Sequence, residues 1–553
     1  MQSTDERSIQ TLAFKLPTTA RLTDAVTGVC FSAEDIATEL SLWQQTLRAL
    51  SATRIVFKAQ SSVQWALLDL ACLDANILLV PVPAYLSDAQ WQHVIMQVKP
   101  DLLITDMPLS LPDSLASSLD LCWAKEQGGF QLYQVLEPGY RFAEVVIPHG
   151  TQKITFTSGS TGNPKGVCLS AASQLQVAAS LVERIKLSCP RHLCLLPLPT
   201  LLENIAGVYA PLLAGGEVLI APETARGLNG SRMENPRLLL GLISDIQPET
   251  LILVPELLQL LLHACQQGWQ APASLKFIAV GGAKVAVDLL KQAALCGLPV
   301  YQGYGLSECC SVVALSDESA LQAGPIQLQQ VGKVLPHLTV KIVNDEICVK
   351  TPFLGYLGDD TTVHDDWVAT GDLGCITDDG YLTVWGRKKN LLILSSGRNV
   401  NPEWVEAELV KTGLVQQAVL FGDAKPYCVA LLYCANPGIS DTQLAAFVSS
   451  VNQLLPDYAR AERFIRLSTP LSEQQNTYTA NGRPKRAQIA ALYATELATL
   501  YPTEALQASS NAQPLAQFSA QHPEQPHRGS FAISKAGSIA APVVFSHSEE
   551  YPV

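Results

Sequence analysis

The chain is short of charge. Charged residues make up 16% of its 553 positions, and the basic ones are scarcer, 37 Lys and Arg against 50 Asp and Glu. The formal net charge of −13 argues against a general nucleic-acid or membrane-surface binder, because both need a basic face. Metal-site spacings are missing too. None of the 14 cysteines forms C-x-x-C, Cys309 and Cys310 are the one close pair, and H-E-x-x-H does not occur, so no structural zinc is expected. No apolar run is long enough to span a bilayer. The opening MQSTDERSIQ is acidic and polar, unlike a secretory signal. The expectation is a cytoplasmic protein whose thiols are reduced and buried in the core. No internal repeat is visible.

What is present is apolar surface, 48% of residues, in a chain too long for one core, so two or more domains are expected. RIVFKA and ILLVPVP read as buried strands around the helical VQWALLDLACLDA. That βαβ rhythm implies a parallel sheet. It recurs in HLCLLPLP, GGEVLIA, ETLILVP and LKFIAVGG, separated by helical stretches such as PELLQLLLHACQQG. From about 337 to 386 short strands follow in quick succession, with GCITDDGYLTVWGR as a hairpin turning at Asp379-Gly380. A smaller α/β unit follows Lys388, with a helix capped by Asn401 and opened by Pro402. From about Tyr501 the chain is rich in Gln, Ala, Ser and Pro without periodicity, which reads as a disordered tail.

One stretch carries chemistry, ITFTSGSTGNPKGVCLS from Ile154 to Ser170. Ile154 to Phe156 read as the end of a buried strand. Thr157 to Gly162 are too small and polar to pack a core, and successive N–H groups in such a loop form an anion-binding concavity. Lys165 adds a positive charge. After Val167 the pattern turns helical, with Ser170 as cap and Leu175, Ala178, Leu181, Val182 and Ile185 as an apolar stripe. Strand, glycine-rich loop, lysine and helix suit a phosphate. A Walker loop is excluded, because Gly166 follows the lysine where Ser or Thr is needed.

Four further segments stand in order behind that loop. YQGYGLSECC offers Tyr304 for stacking on a base and Glu308 for Mg²⁺, although singly Tyr304 reads more readily as core and Glu308 as surface. WVATGDLG places Asp372 in a turn, where it bonds either its own backbone or the hydroxyls of a ribose. WGRKKN carries Arg387, Lys388 and Lys389, and TANGRPKR carries Arg483, Lys485 and Arg486; each could be an ordinary surface turn.

Together these motifs, in this order, resemble the acyl-adenylate-forming superfamily of acyl-CoA synthetases, luciferases and peptide-synthetase adenylation domains. The resemblance covers roughly residues 30 to 495. It implies an α/β fold: a large N-terminal domain (1–387) of two βαβ-type subdomains plus a small β-barrel-like part, then a small mobile α+β lid (388–500), with the tail at 501–553. It implies that Thr157, Ser158, Gly159, Ser160, Thr161, Gly162 and Lys165 handle the phosphates of ATP. Gly281, Gly282 and Ala283 would flank the adenine and Tyr304 stack on it. Ser307 would lie near the α-phosphate, Glu308 would hold magnesium, and Asp372 and Arg387 would bind the ribose. Lys389 would be the hinge between the domains, and the loop at Gly397 would border the thiol's path. The implied activity is ATP-dependent conversion of a carboxylic acid to acyl-AMP with release of pyrophosphate, followed by transfer to a thiol, with no acyl-enzyme.

The chain departs from the family pattern in three places. Arg483 stands where a lysine is usual as the adenylation cation, with Lys485 two residues on; Thr200 and Ala171 stand where histidines are common. Leu201 replaces the aspartate that binds the ammonium of amino-acid substrates, and Leu202, Ile205 and Ala206 lie nearby. Burying an ammonium there without a partner would cost several kcal/mol. The expected substrate is therefore a medium- or long-chain fatty acid, with an aryl acid second. Coenzyme A is the expected acceptor, with an acyl carrier protein as alternative. A non-catalytic nucleotide-binding homologue is the rival from another class.

Overall fold

A computed structural model describes residues 15–84, 86, 88–107, 109, 119–136, 145–157, 165–229, 232–285, 287–318, 330–359, 367–396, 398–472, 475–478 and 483–501. Ser158, Gly159, Ser160, Thr161 and Gly162, as well as Gly397 and the tail from 502, lie outside the described residues. No described helix is long and apolar enough to cross a membrane.

Two large sheets organise the chain. The first has seven strands, with Arg54–Lys58, Leu78–Val82 and Leu102–Thr105 parallel at its centre. Each central strand is buried along most of its length, as parallel strands covered on both faces must be. The helix Val63–Asp74 crosses between two of them. Before it, Ala33–Ala49 is opened by a reciprocal capping box between Ser32 and Asp35 and buries Ile36, Leu40, Trp43 and Leu47 on one stripe. Each such side chain contributes roughly 1.5–3 kcal/mol on full burial.

The second sheet joins a parallel half to an antiparallel half. Arg21–Asp24, Glu217–Ile220, Arg191–Cys194, Thr250–Leu253, Phe277–Val280 and Val300–Leu306 run parallel. From Val300–Leu306 the sheet continues, antiparallel, through Ser311–Leu315, Gln330–Val334, Tyr381–Arg387, Trp367–Ile376, Glu346–Lys350 and Thr339–Val343. The expected hairpin is present, and Gly380 at φ 85° makes its turn.

After Lys388 a three-stranded sheet, Gln417–Phe421, Cys428–Tyr433 and Ala461–Leu467, packs with helices Pro402–Val410 and Asp441–Asn452 around its own core of Val405, Leu409, Leu420, Leu432 and Leu444. Asn401 accepts from the Glu403 amide and Pro402 stands at the first helical position, as its sequence indicates.

Two expectations are corrected here. Lys165 does not lead into a helix. Lys165–Leu169 is a strand paired antiparallel with Lys153–Thr157, and the helix starts only at Ala171. Gly166 belongs to this hairpin, since a Cβ there would stand 2.9 Å from the Ile154 side chain. The cysteines are all free, but Cys30, Cys122 and Cys189 are exposed rather than buried.

Candidate active site

The site is built where the two halves of the second sheet meet. At Gly305 the strand Val300–Leu306 runs so close to Ser311–Leu315 that a Cβ would sit 1.6 Å from the Ser311 carbonyl oxygen. The register shifts between Tyr304 and Gly305, and such a bulge re-aims the side chains around it. Ser307–Cys309 then makes a short 3-10 turn. Tyr304 donates its hydroxyl to Asp372 Oδ2 at 2.6 Å. Glu308 Oε1 accepts the Tyr356 hydroxyl at 2.8 Å.

Asp372 does not sit in a turn, as its sequence suggests. It lies inside the strand Trp367–Ile376, directly opposite Arg387 of the hairpin partner, and just before another register shift. Arg387 Nε reaches Asp372 Oδ1 at 2.6 Å, and the aspartate side chain is 5% exposed. Burial pushes the Asp372 carboxyl above its ordinary value, against the opposing pull of Arg387, Tyr304 and Arg483. The same burial, reinforced by Asp372, raises the Tyr304 phenol, so its hydroxyl stays a donor.

Lys165 places its Nζ over the Tyr356 ring, 5.0 Å from the centroid. Tyr356 belongs to a segment that pairs with the strand Lys165–Leu169: Leu357 N–H donates to the Gly166 carbonyl, and Cys168 N–H to that of Gly355. Burial and the Glu308 charge raise the Tyr356 phenol, while Arg387 lowers it. Lys165, Glu308 and Arg387 are therefore gathered around Tyr356, and Asp372 joins them through Arg387.

Gly281 lies at the end of the strand Phe277–Val280. A Cβ there would lie 3.3 Å from the Gly303 carbonyl and 3.7 Å from Leu202 Cδ2. Gly282 has φ 82°, and its carbonyl accepts a bond from Arg483 of the small unit. The Arg483 pKa is lowered by burial first and by the like charge of Arg387 second, with Glu403, Asp372 and Glu256 opposing. Lys485 turns elsewhere, to Asn476 Oδ1 at 2.5 Å, and Arg486 pairs with Glu406 inside the small unit. Ala283 follows in the same loop, and Lys284 donates to the Trp385 carbonyl at 3.4 Å.

Thr200 opens the helical segment that begins at Leu201, without a side-chain cap bond. Tyr356 escaped the sequence reading. Its signal, an aromatic between two glycines in FLGYLG, is weak, because the contact with Glu308 spans 48 residues.

The sequence matches the AMP-binding enzyme family over residues 44–356 and its C-terminal domain over 389–505. It is 25% identical to a long-chain-fatty-acid–CoA ligase of Mycobacterium bovis, covering 88% of this chain and 94% of that protein. It is 26% identical to a 2-succinylbenzoate–CoA ligase of Staphylococcus aureus, covering 83% and 94%. Among solved structures, o-succinylbenzoate CoA synthetase of Bacillus subtilis with its acyl-adenylate superposes with a TM-score of 0.66 at 20% identity, covering 85% and 94%. An anthranilate CoA ligase in complex with anthranoyl-AMP reaches 0.69 at 17% identity, covering 90% and 97%. These are the large and small domains of adenylate-forming ligases, and the chain belongs to the AMP-binding enzyme family as an AMP-forming acid–thiol ligase.

Proposed function

We propose that the enzyme uses ATP to convert a medium- or long-chain fatty acid to its acyl-AMP and then passes the acyl group to coenzyme A. The observation that carries the substrate class is Leu202. Its Cδ2 lies 3.7 Å from where a Gly281 Cβ would stand, and the adjoining Leu201 takes the place of the aspartate that would meet an ammonium. Leu201 and Ile205 are buried. The mycobacterial relative is named for long-chain fatty acids. An aryl acid is the second reading, favoured by the succinylbenzoate and anthranilate ligases among the similar proteins. An acyl carrier protein would offer the same thiol as coenzyme A.

The chemistry needs charge more than it needs a nucleophile. A carboxylate attacks the α-phosphorus, and both partners are negative. Arg483, at the Gly282 carbonyl and close to Asp372 and Arg387, is the cation that draws them together. Its planar fork holds two oxygens at once. In a site screened from water such contacts are worth more than in solution. Asp372 and Arg387 take the ribose, and the Tyr304 ring takes the adenine. Thr157, Ser158, Gly159, Ser160, Thr161, Gly162 and Lys165 hold the departing pyrophosphate. Ser307 bonds near the α-phosphate. The Glu308 carboxylate, a hard oxygen donor oriented by Tyr356, suits Mg²⁺, which when bound neutralises phosphate charge. The unit 388–500 turns about Lys389 between the two half-reactions and brings the Gly397 loop to the thiol. The region 501–553 has no part in turnover.

Pyrophosphate release across a panel of straight-chain and aromatic acids tests this reading. Higher kcat/KM for aliphatic acids supports it. Higher values for benzoates select the aryl reading instead, and release with none would refute the acid-activating role.

A further inference from the structure

Opposite the nucleotide loop, the chain from Leu201 to Leu213 starts and ends as α-helix but passes through a π-helix at Asn204–Tyr209. Such wide turns are scarce and concentrate at functional sites. Two polar clusters grip this one, from different sides.

The first surrounds a lysine. Lys153 Nζ is 2.7 Å from Asp69 Oδ1, with both side chains fully buried. It also donates to Asn204 Oδ1 at 2.6 Å and to the Tyr209 hydroxyl at 2.8 Å. Tyr209 in turn donates to Asp69 Oδ2 at 2.6 Å, and Asn204 Nδ2 donates to the same oxygen at 2.9 Å. Asn204 and Tyr209 are five residues apart. In an α-helix residues so spaced stand about 140° apart around the axis. In a π-helix that spacing closes one hydrogen-bonded turn and aligns them. The π form therefore brings both within reach of one ammonium.

The second cluster grips Gly207. A Cβ there would lie 2.2 Å from Glu203 Oε1 and 2.7 Å from His192 Nε2. Those two atoms are themselves 2.9 Å apart. Glu203 Oε2 accepts the Leu196 amide at 2.8 Å, and His192 Nδ1 contacts Thr250 Oγ1 at 2.9 Å. His192, Cys194 and Glu203 do offer three ligand atoms within 4.8 Å of one another, but these bonds already engage the carboxylate and the imidazole, so the cluster reads as a clamp.

A buried ion pair adds little net stability over an apolar pair of the same size. What the pair at Lys153 does is select a register. A one-residue slip into α geometry would rotate the side chains on one side of the turn by about 100° relative to the other. Leu202, which precedes the turn, borders Gly281. Lys153 opens the strand that leads into the phosphate loop.

We infer that Lys153 and Asp69 are positioning residues: they hold Asn204–Tyr209 in π form and thereby set which acids fit against Leu202. This rests on the acid-activating activity, but not on which acid is preferred.

The test compares the wild type with Tyr209→Phe, which removes one oxygen, and with the paired Asp69→Leu, Lys153→Met variant. Pyrophosphate release is measured with a straight-chain acid and with a benzoate, together with the KM for ATP. The selectivity ratio between the acids should move by at least about fivefold, or about 1 kcal/mol, while the KM for ATP stays within about twofold. A ratio unchanged in both variants, whether or not the melting temperature falls, overturns the inference and leaves a purely structural network. Tyr209→Phe decides alone if the paired variant does not fold. A wild type silent toward every acid would overturn the acid-activating reading and this one together.

Discussion

Asp372 and Arg387 face each other across an antiparallel pair, and the guanidinium Nε lies 2.6 Å from the carboxylate. With Tyr304 on the other oxygen, the aspartate is held from two sides. Asp372→Asn keeps the shape but removes the charge and leaves Arg387 without its counter-ion. The KM for ATP should rise about tenfold or more, as expected for a charge-assisted contact. Nucleotide titrations that match the wild type would remove Asp372 from the ribose site.

Glu308→Gln should abolish pyrophosphate release while melting as the wild type does, because the change is isosteric and removes the charge that suits magnesium. Tyr356→Phe should cost less, about tenfold, since it loses only the bond that orients Glu308. Normal release by folded Glu308→Gln would place the metal elsewhere.

Arg483 and Lys485 form a controlled pair. Arg483→Ala should lose adenylation by orders of magnitude, each ~1.4 kcal/mol being tenfold in rate. Thioester formation from supplied acyl-AMP should survive, and Arg483→Lys should stay active. Lys485 faces Asn476, so Lys485→Ala should turn over normally. The reverse pattern would shift the motif by two residues.

Glu406 gives the small unit a pH response. Burial pushes its carboxyl up to about 7, with Arg486 and the Leu420 amide offsetting only part of the shift. A carboxyl whose folded pKa is raised favours the protonated fold. Its contribution to stability therefore grows as pH falls through about 7 toward its ordinary 4.5, and is absent above that window. Melting of the small unit should rise between about pH 8 and pH 5.5 more in the wild type than in Glu406→Gln. Equal slopes would show that Glu406 is ionised throughout.

Strands were legible wherever burial on both faces wrote a continuous apolar run, as in Leu78–Val82. Helix starts were legible from their caps, Ser170 and Asn401. The strand Lys165–Leu169 was hidden although Lys153–Thr157 pairs with it locally, because seven residues rather than a tight turn separate the two in sequence, and Gly355 and Leu357 bind its other edge from nearly two hundred residues away. Asp372 was misplaced because glycines at 371 and 374 mimic a turn, although Gly371 at φ 70° and the register shift only bend a strand. Lys153 reads as an ordinary polar start to a strand until Asp69, from the helix Val63–Asp74, meets it.

The small unit has its own core, and the contacts it makes with the large one at Lys411–Asp288, Asn401–Trp385 and Arg483–Gly282 are ionic or hydrogen-bonded. Water can replace each of them at either partner when they part. Bonds of that kind can be opened and remade at little net cost, and added salt should loosen them where an apolar seam would tighten.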